Sequence, residues 1–194
     1  MMKMFPLALL LAAPAGAVTL ADVAASLKAT TSLSANFTQT GADGKVLTGS
    51  MVLARPGRIR FQYDKARLLI VGNGKSLTFV DYSVNQVSQW PVKSTPLGIL
   101  LASDPDLSGV AQIAATTDTG VEVEARDPKH PEFGSLRIAF TRSATAPGGL
   151  ARAGWTAFDA QGGRSTVQLA GARYNADLSK VDFGFRDPRR PVTR

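Results

Sequence analysis

The feature that most constrains this chain is a period-two alternation of apolar and polar residues, cut at short intervals by turn-forming residues. Ala35, Phe37 and Gln39 fall on one side of an extended segment, and Asn36, Thr38 and Thr40 on the other. Ile59, Phe61 and Tyr63 oppose Arg58, Arg60 and Gln62 in the same way. A half-buried strand requires this alternation, because successive side chains point to opposite faces. Asp43-Gly44 and Asn73-Gly74 are hairpin signals, and Arg55-Pro56-Gly57 marks a further turn. Strands are expected over 35–40, 45–54, 58–63, 68–72, 76–82 and 85–92. They resume over 110–116, 120–126, 134–142, 150–158, 163–173 and 181–186. The pattern predicts a mainly β, antiparallel domain of roughly eleven strands, and a sheet of that size curls or closes.

Two stretches leave the pattern. Thr19-Leu20-Ala21-Asp22 has the form of a capping box, and Leu20, Val23, Ala24 and Leu27 follow at the spacing of one helical face. An amphipathic helix is expected over 20–30. Ser94-Thr95-Pro96 reads as a cap with Pro at the first helical position, followed by Leu97, Ile99, Leu100, Leu101 and Ala102, with a stop at Asp104-Pro105. This second helix is apolar nearly all round, which calls for burial, and Gly98 costs it about 1 kcal/mol of intrinsic stability. It reads either as a crossover helix packed on the sheet or as a plug or lid.

Residues 1–17 read as a secretory signal: Lys3 is the positive end, Met4 to Ala13 the apolar stretch, and Ala15-Gly16-Ala17 the cleavage site. The apolar stretch is far shorter than the roughly 20 residues that span a bilayer. The expected organisation is a signal peptide over 1–17 and a single domain over 18–194, exported to the periplasm. The net charge is +7. An excess of base can meet nucleic acid, anionic lipid or an acidic partner. Export argues against nucleic acid, and no basic run carries interleaved aromatic residues.

The chain has no Cys and one His, His130. The missing cysteines exclude a disulfide scaffold, a thiolate metal site, a Cys nucleophile and lipid attachment through an N-terminal Cys. A single His excludes a multi-His metal site and argues against a Ser–His–Asp triad. Asp43, Asp104, Asp118, Asp127 and Asp159 fall in expected turns. Glu122 and Glu124 share one face of a strand, which reads as a solvated face rather than a glycosidase pair. Gly72-Asn73-Gly74-Lys75 lacks the spacing of a phosphate-binding loop. The expectation is a non-enzyme with no catalytic residue, no metal and no cofactor.

At this point the residues resemble a family. Ala35-Asn36-Phe37-Thr38-Gln39, the run Gly49 to Ala54 into Arg55-Pro56-Gly57-Arg58-Ile59-Arg60-Phe61, and Leu69-Ile70-Val71-Gly72-Asn73-Gly74-Lys75-Ser76-Leu77 are similar to the periplasmic outer-membrane lipoprotein carriers of the LolA type. Tyr82, Ser94-Thr95-Pro96-Leu97 through Ala102, and Phe183-Gly184-Phe185 continue the match in order. The resemblance implies an incomplete, unclosed β-barrel of about eleven antiparallel strands, with a short α-helical lid enclosing a hydrophobic cavity. It implies a soluble carrier that takes acylated lipoproteins from an inner-membrane ABC transporter and delivers them to the outer membrane, directly or through a receptor. A monomer suffices for that. It also implies that Arg55, before the turn proline, hydrogen-bonds to the lid and latches it. The apolar positions expected to face the cavity are Phe37, Ile59, Phe61, Leu69, Val71, Leu97, Ile99, Leu100 and Leu101. Phe61 stands where many relatives carry Trp, Gly98 interrupts the lid segment, and 126–150 does not align clearly. A sister family of outer-membrane receptors shares the fold but is anchored through a Cys, which this chain lacks. A periplasmic lipid-binding sensor or regulator and a general lipid carrier remain the alternatives on the same fold.

Overall fold

A computed structural model describes residues 16–92 and 96–190, excluding the side chains of Pro96, Ile99 and Leu100. Apart from Gly16 and Ala17, the expected signal segment lies outside the described residues, as does the Ser94-Thr95 start of the second helix.

The sheet forms where the alternation places it. Six strands precede the second helix: β1 (Ser32–Thr40), β2 (Val46–Ala54), β3 (Arg58–Tyr63), β4 (Leu68–Asn73), β5 (Ser76–Asp81) and β6 (Gln86–Pro91). Five follow it: β7 (Ala111–Thr117), β8 (Gly120–Arg126), β9 (Ser135–Arg142), β10 (Leu150–Phe158) and β11 (Arg164–Tyr174). All pairs are antiparallel, in the order β6-β5-β4-β3-β2-β1-β11-β10-β9-β8-β7. The single sheet ends on β6 and β7, so the barrel is not closed. It is nevertheless strongly curled. Phe61 on β3 and Trp155 on β10 are four strand steps apart, roughly 19 Å along a flat sheet. Their ring centroids lie 5.7 Å apart. Only a sheet rolled towards itself brings them together.

Helix α1 (Leu20–Ala29) starts with the expected capping box: the Thr19 Oγ1 accepts from the Asp22 N–H at 3.2 Å, and Asp22 Oδ2 accepts from the Thr19 N–H at 2.8 Å. Its Val23 and Leu27 are buried against Val121, Val123, Leu136, Ile138 and Phe140 of β8 and β9. Ser26, also buried, donates to the carbonyls of Pro147 and Leu150 and ties α1 to the head of β10. Helix α2 (Pro96–Leu101) belongs to the connection between the two edge strands β6 and β7. Its Leu101 is buried among Leu33, Phe37, Met51, Leu53, Ile59 and Phe61, and Leu97 touches both this cluster and that of α1. Both helices therefore cover the same, inner face of the sheet.

One expected strand is absent. Residues 181–186 form no ladder; they lie over the outer face. Phe183 and Phe185 pack on Leu69, Val71 and Val80, and Arg60 donates to the carbonyls of Asp182 and Gly184 at 3.2 and 2.9 Å. The Arg58 guanidinium sits 5.2 Å from the Phe183 ring centre. The alternation of Phe183 and Phe185 lays two rings on an apolar face rather than pairing with an edge.

A candidate ligand cavity under the second helix

The inner face borders largely apolar space. A cavity of about 260 Å³ is lined mainly by apolar and aromatic residues, Phe61, Tyr63, Ile70, Leu77, Leu97 and Trp155 among them, with Gln39, Ser135 and Ser165 as polar lining residues. A smaller compartment of about 40 Å³ lies against Leu97 and Leu101, bounded by Leu27, Leu33, Met51, Leu53, Ile59, Ile138 and Trp155, with Arg152 as its one charged lining residue. Leu97, Leu136 and Trp155 line both. Together they reach only the lower end of the roughly 300–1,000 Å³ typical of ligand sites. An edge-to-face aromatic stack forms one wall: Phe37 meets Phe61 at 5.4 Å and Tyr63 at 5.1 Å between ring centres. The Tyr63 hydroxyl donates to Gln39 Oε1 at 2.6 Å, and burial pushes its pKa up to about 12.

The β2–β3 turn holds the end of α2. The Gly57 N–H donates to the Leu101 carbonyl at 3.0 Å, and Arg55 Nη1 donates to the Ala102 carbonyl. The last carbonyls of a helix have no partner within it, and a cation there also meets the negative end of its dipole. Gly98 and the short length leave α2 with little stability of its own, so these bonds and its apolar contacts hold it in place. Arg55 is half-buried, and its Nε and Nη2 have no partner. Burial, and then the charge of Arg152, bring its pKa down to about 10.

Arg152 is the second cation. It is 9% exposed, and its Nη1 and Nη2 have no hydrogen-bond partner. Burial pushes its pKa down, partly opposed by Tyr174, whose hydroxyl accepts from the Arg152 N–H at 2.9 Å. A β-bulge sets its direction. The pairing of β10 with β9 slips between Arg152 and Gly154, so Arg152 and Trp155, an odd number of positions apart, both line the inner compartment. A Cβ at Gly154 would lie 2.1 Å from the Val167 carbonyl oxygen, so the close approach to β11 requires glycine.

The residues expected at the cavity divide. Ile59, Phe61, Leu97 and Leu101 line it, and Phe37 packs behind Phe61. The side chains of Ile99 and Leu100 lie outside the described residues. Leu69 and Val71 require correction: they face outward, into the cluster under Phe183 and Phe185. Register decides this. Phe61 pairs with Ile70 and Arg60 with Val71, and paired residues share a face. Ile70 and Leu77 take the places expected of Leu69 and Val71. Arg152, Tyr63, Leu136 and Trp155 were not anticipated; the one signal for Arg152 was a glycine inside an expected strand, which marks a bulge.

Elsewhere, Glu124 lies 3.6 Å from Arg137 on the face opposite the buried Val121, Val123 and Ala125. His130 contacts Glu132 at 3.1 Å in an exposed loop. Among the described residues no helix is long and apolar enough to cross a membrane.

Known proteins match the chain along most of its length. It is 30% identical over 190 residues to an outer-membrane lipoprotein carrier protein of Chromobacterium violaceum, covering 92% of this chain and 88% of that protein. It is 28% identical over 178 residues to a protein of the same description from Chromohalobacter salexigens, covering 86% and 81%. A crystal structure of a LolA superfamily protein from Nitrosomonas europaea covers 87% of this chain and 99% of that one, at 12% identity and a TM-score of 0.46. Residues 28–186 match the family described as outer membrane lipoprotein carrier protein LolA, and with the open eleven-stranded sheet and its helix-covered inner face the chain belongs to that family.

Proposed function

We propose that this protein is a soluble periplasmic carrier, cut after Ala17, that receives acylated lipoproteins from an inner-membrane ABC transporter. It shields their acyl chains and delivers them to the outer membrane, directly or through a receptor. The observation that carries the reading is the apolar cavity beneath a short helix whose end is bound to the β2–β3 turn through Arg55 and Gly57. The names of the relatives support the cargo.

The physics of the cargo fits such a site. Each exposed methylene costs about 0.8 kcal/mol in water, so an anchor of several acyl chains costs on the order of tens of kcal/mol. Such an anchor does not cross an aqueous compartment uncovered. Non-covalent affinity saturates near roughly −20 kcal/mol, and a carrier must also let go. A lid that closes on the empty cavity competes with the ligand and supplies the release. Arg55 is the latch in this scheme.

The test is native mass spectrometry of the exported protein after incubation with membranes containing an ATP-driven lipoprotein exporter. The expected product is a one-to-one complex with an acylated lipoprotein, on a chain whose mass begins at Val18. Free lipid alone would point to a general lipid carrier. No apolar ligand would turn the reading to a regulator. Arg55→Leu is expected to accept lipoprotein and to pass it on poorly; normal transfer to acceptor membranes refutes the latch.

A further inference from the structure

Arg152 has no structural reason to be where it is. A buried guanidinium normally meets a carboxylate or spends its N–H groups on carbonyls, because leaving them bare costs the full desolvation of a charged group. Among the described residues no carboxylate forms an ion pair with it, and both terminal nitrogens are bare. Its charge acts on another cation, Arg55, whose pKa it lowers. The bulge at Gly154 aims it into an apolar compartment next to the larger cavity, the two sharing Leu97, Leu136 and Trp155 as wall residues. A methionine or leucine would fill the same space at no such cost.

We infer that Arg152 is the charged end of the cavity, and that its bare N–H groups donate to an oxygen acceptor carried by an alkyl chain lying along the apolar wall. The acceptor is an ester or amide carbonyl of an acyl anchor, or the carboxylate of a free fatty acid. The planar fork of the guanidinium suits either, since both present oxygen lone pairs in one plane. This rests on the proposal that the cavity takes acyl chains and adds what fixes their heads. A bare cation in an apolar compartment ranks ligands by their oxygens, whereas apolar walls alone rank them by chain length.

The test compares dodecane, methyl laurate and laurate, each equilibrated with the delipidated protein and quantified after extraction by gas chromatography, in wild type and Arg152→Met. The wild type is expected to prefer an oxygenated ligand to dodecane by roughly tenfold or more, as a hydrogen bond to a charged donor allows. The variant is expected to lose that preference while taking up dodecane as well as before. Preference for laurate alone assigns the acceptor to a carboxylate, and preference for the ester as well assigns it to acyl linkages. Uptake of all three without oxygen preference, or a preference unchanged in the variant, overturns the role of Arg152 and leaves the carrier reading standing. No uptake of any ligand overturns both. Where the variant does not fold, the carbonyl stretch of ¹³C-labelled methyl laurate bound to wild type decides. A band at lower wavenumber than in alkane supports donation to the carbonyl, and a band at the alkane position overturns it for esters.

Discussion

Replacing Arg55 with leucine separates the stability of α2 from that of the sheet. The substitution removes the bond from Arg55 Nη1 to the Ala102 carbonyl and leaves the bond from the Gly57 N–H to the Leu101 carbonyl. A hydrogen bond with one charged partner contributes about 1.5–3 kcal/mol. Opening of α2 should become easier by that amount, a factor of roughly 10–150 in its opening equilibrium at about 1.4 kcal/mol per tenfold. The whole protein should respond differently. Arg55 leaves Nε and Nη2 without partners and shares its surroundings with Arg152. Removing a half-buried, poorly satisfied cation beside a second one offsets the lost bond. The melting temperature is therefore expected to stay within a few degrees of wild type, since 1 kcal/mol corresponds to about 2–4 °C at this size. Native-state hydrogen exchange reads both quantities. The amides of 97–102 should exchange roughly 10–150 times faster, with those of β1, β2 and β11 unchanged. Unchanged exchange over 97–102, or equal acceleration everywhere, refutes the argument.

Gly49→Ala should destabilise the sheet by about 1–3 kcal/mol in chemical denaturation, because the new Cβ would lie 2.2 Å from the Gln62 carbonyl oxygen and 2.8 Å from the Phe37 ring. Ser26→Ala should cost about 1 kcal/mol, since its hydroxyl donates at 2.8 and 3.1 Å to the carbonyls of Pro147 and Leu150. Tyr63 should titrate near pH 12 in a phenolate absorbance scan, and Tyr63→Phe should remove that step. The folded state keeps this proton after the unfolded state has lost it near pH 10, so the wild type should lose stability relative to Tyr63→Phe between about pH 10 and 12. Phe183→Ala should expose Leu69, Val71 and Val80 and raise binding of a hydrophobic dye, with little effect on exchange in α2.

The strands were legible because their signal is local. Ile59, Phe61 and Tyr63 alternate with polar residues, and Asn73-Gly74 fixes the β4–β5 turn by backbone preference alone. The capping box of α1 was readable for the same reason. Errors arose where local pattern carries no choice. Leu68-Leu69-Ile70-Val71 is apolar at every position, so only the pairing with β3 decides which side chains face inward. Residues 181–186 alternate like a strand, yet nothing local distinguishes pairing with an edge from lying on a face. Arg152 was hidden for a third reason: an arginine in an expected strand reads as solvated, and the slip that buries it depends on β9 and β11.

The geometry under α2 also bears on how tightly a carrier of this design holds its cargo. A multi-chain anchor needs more room than the cavity offers with α2 in place, so loading on the carrier reading means displacing α2 and breaking the Arg55 bond. The apparent affinity is then the intrinsic affinity reduced by the fraction of protein with α2 displaced. A latch of about 1.5–3 kcal/mol weakens binding by roughly 10–150-fold, which brings an apolar ligand back from the limit of non-covalent affinity towards one that can be released. The same reasoning fixes the sign for Arg55→Leu: tighter retention and slower release, with loading preserved. Arg152 acts in the opposite direction, because an acceptor oxygen satisfies donors that the empty protein leaves bare. On the carrier reading, Arg55 favours the empty state and Arg152 the loaded one. Substituting each should therefore move retention in opposite directions, a contrast that a purely structural role for either residue does not produce.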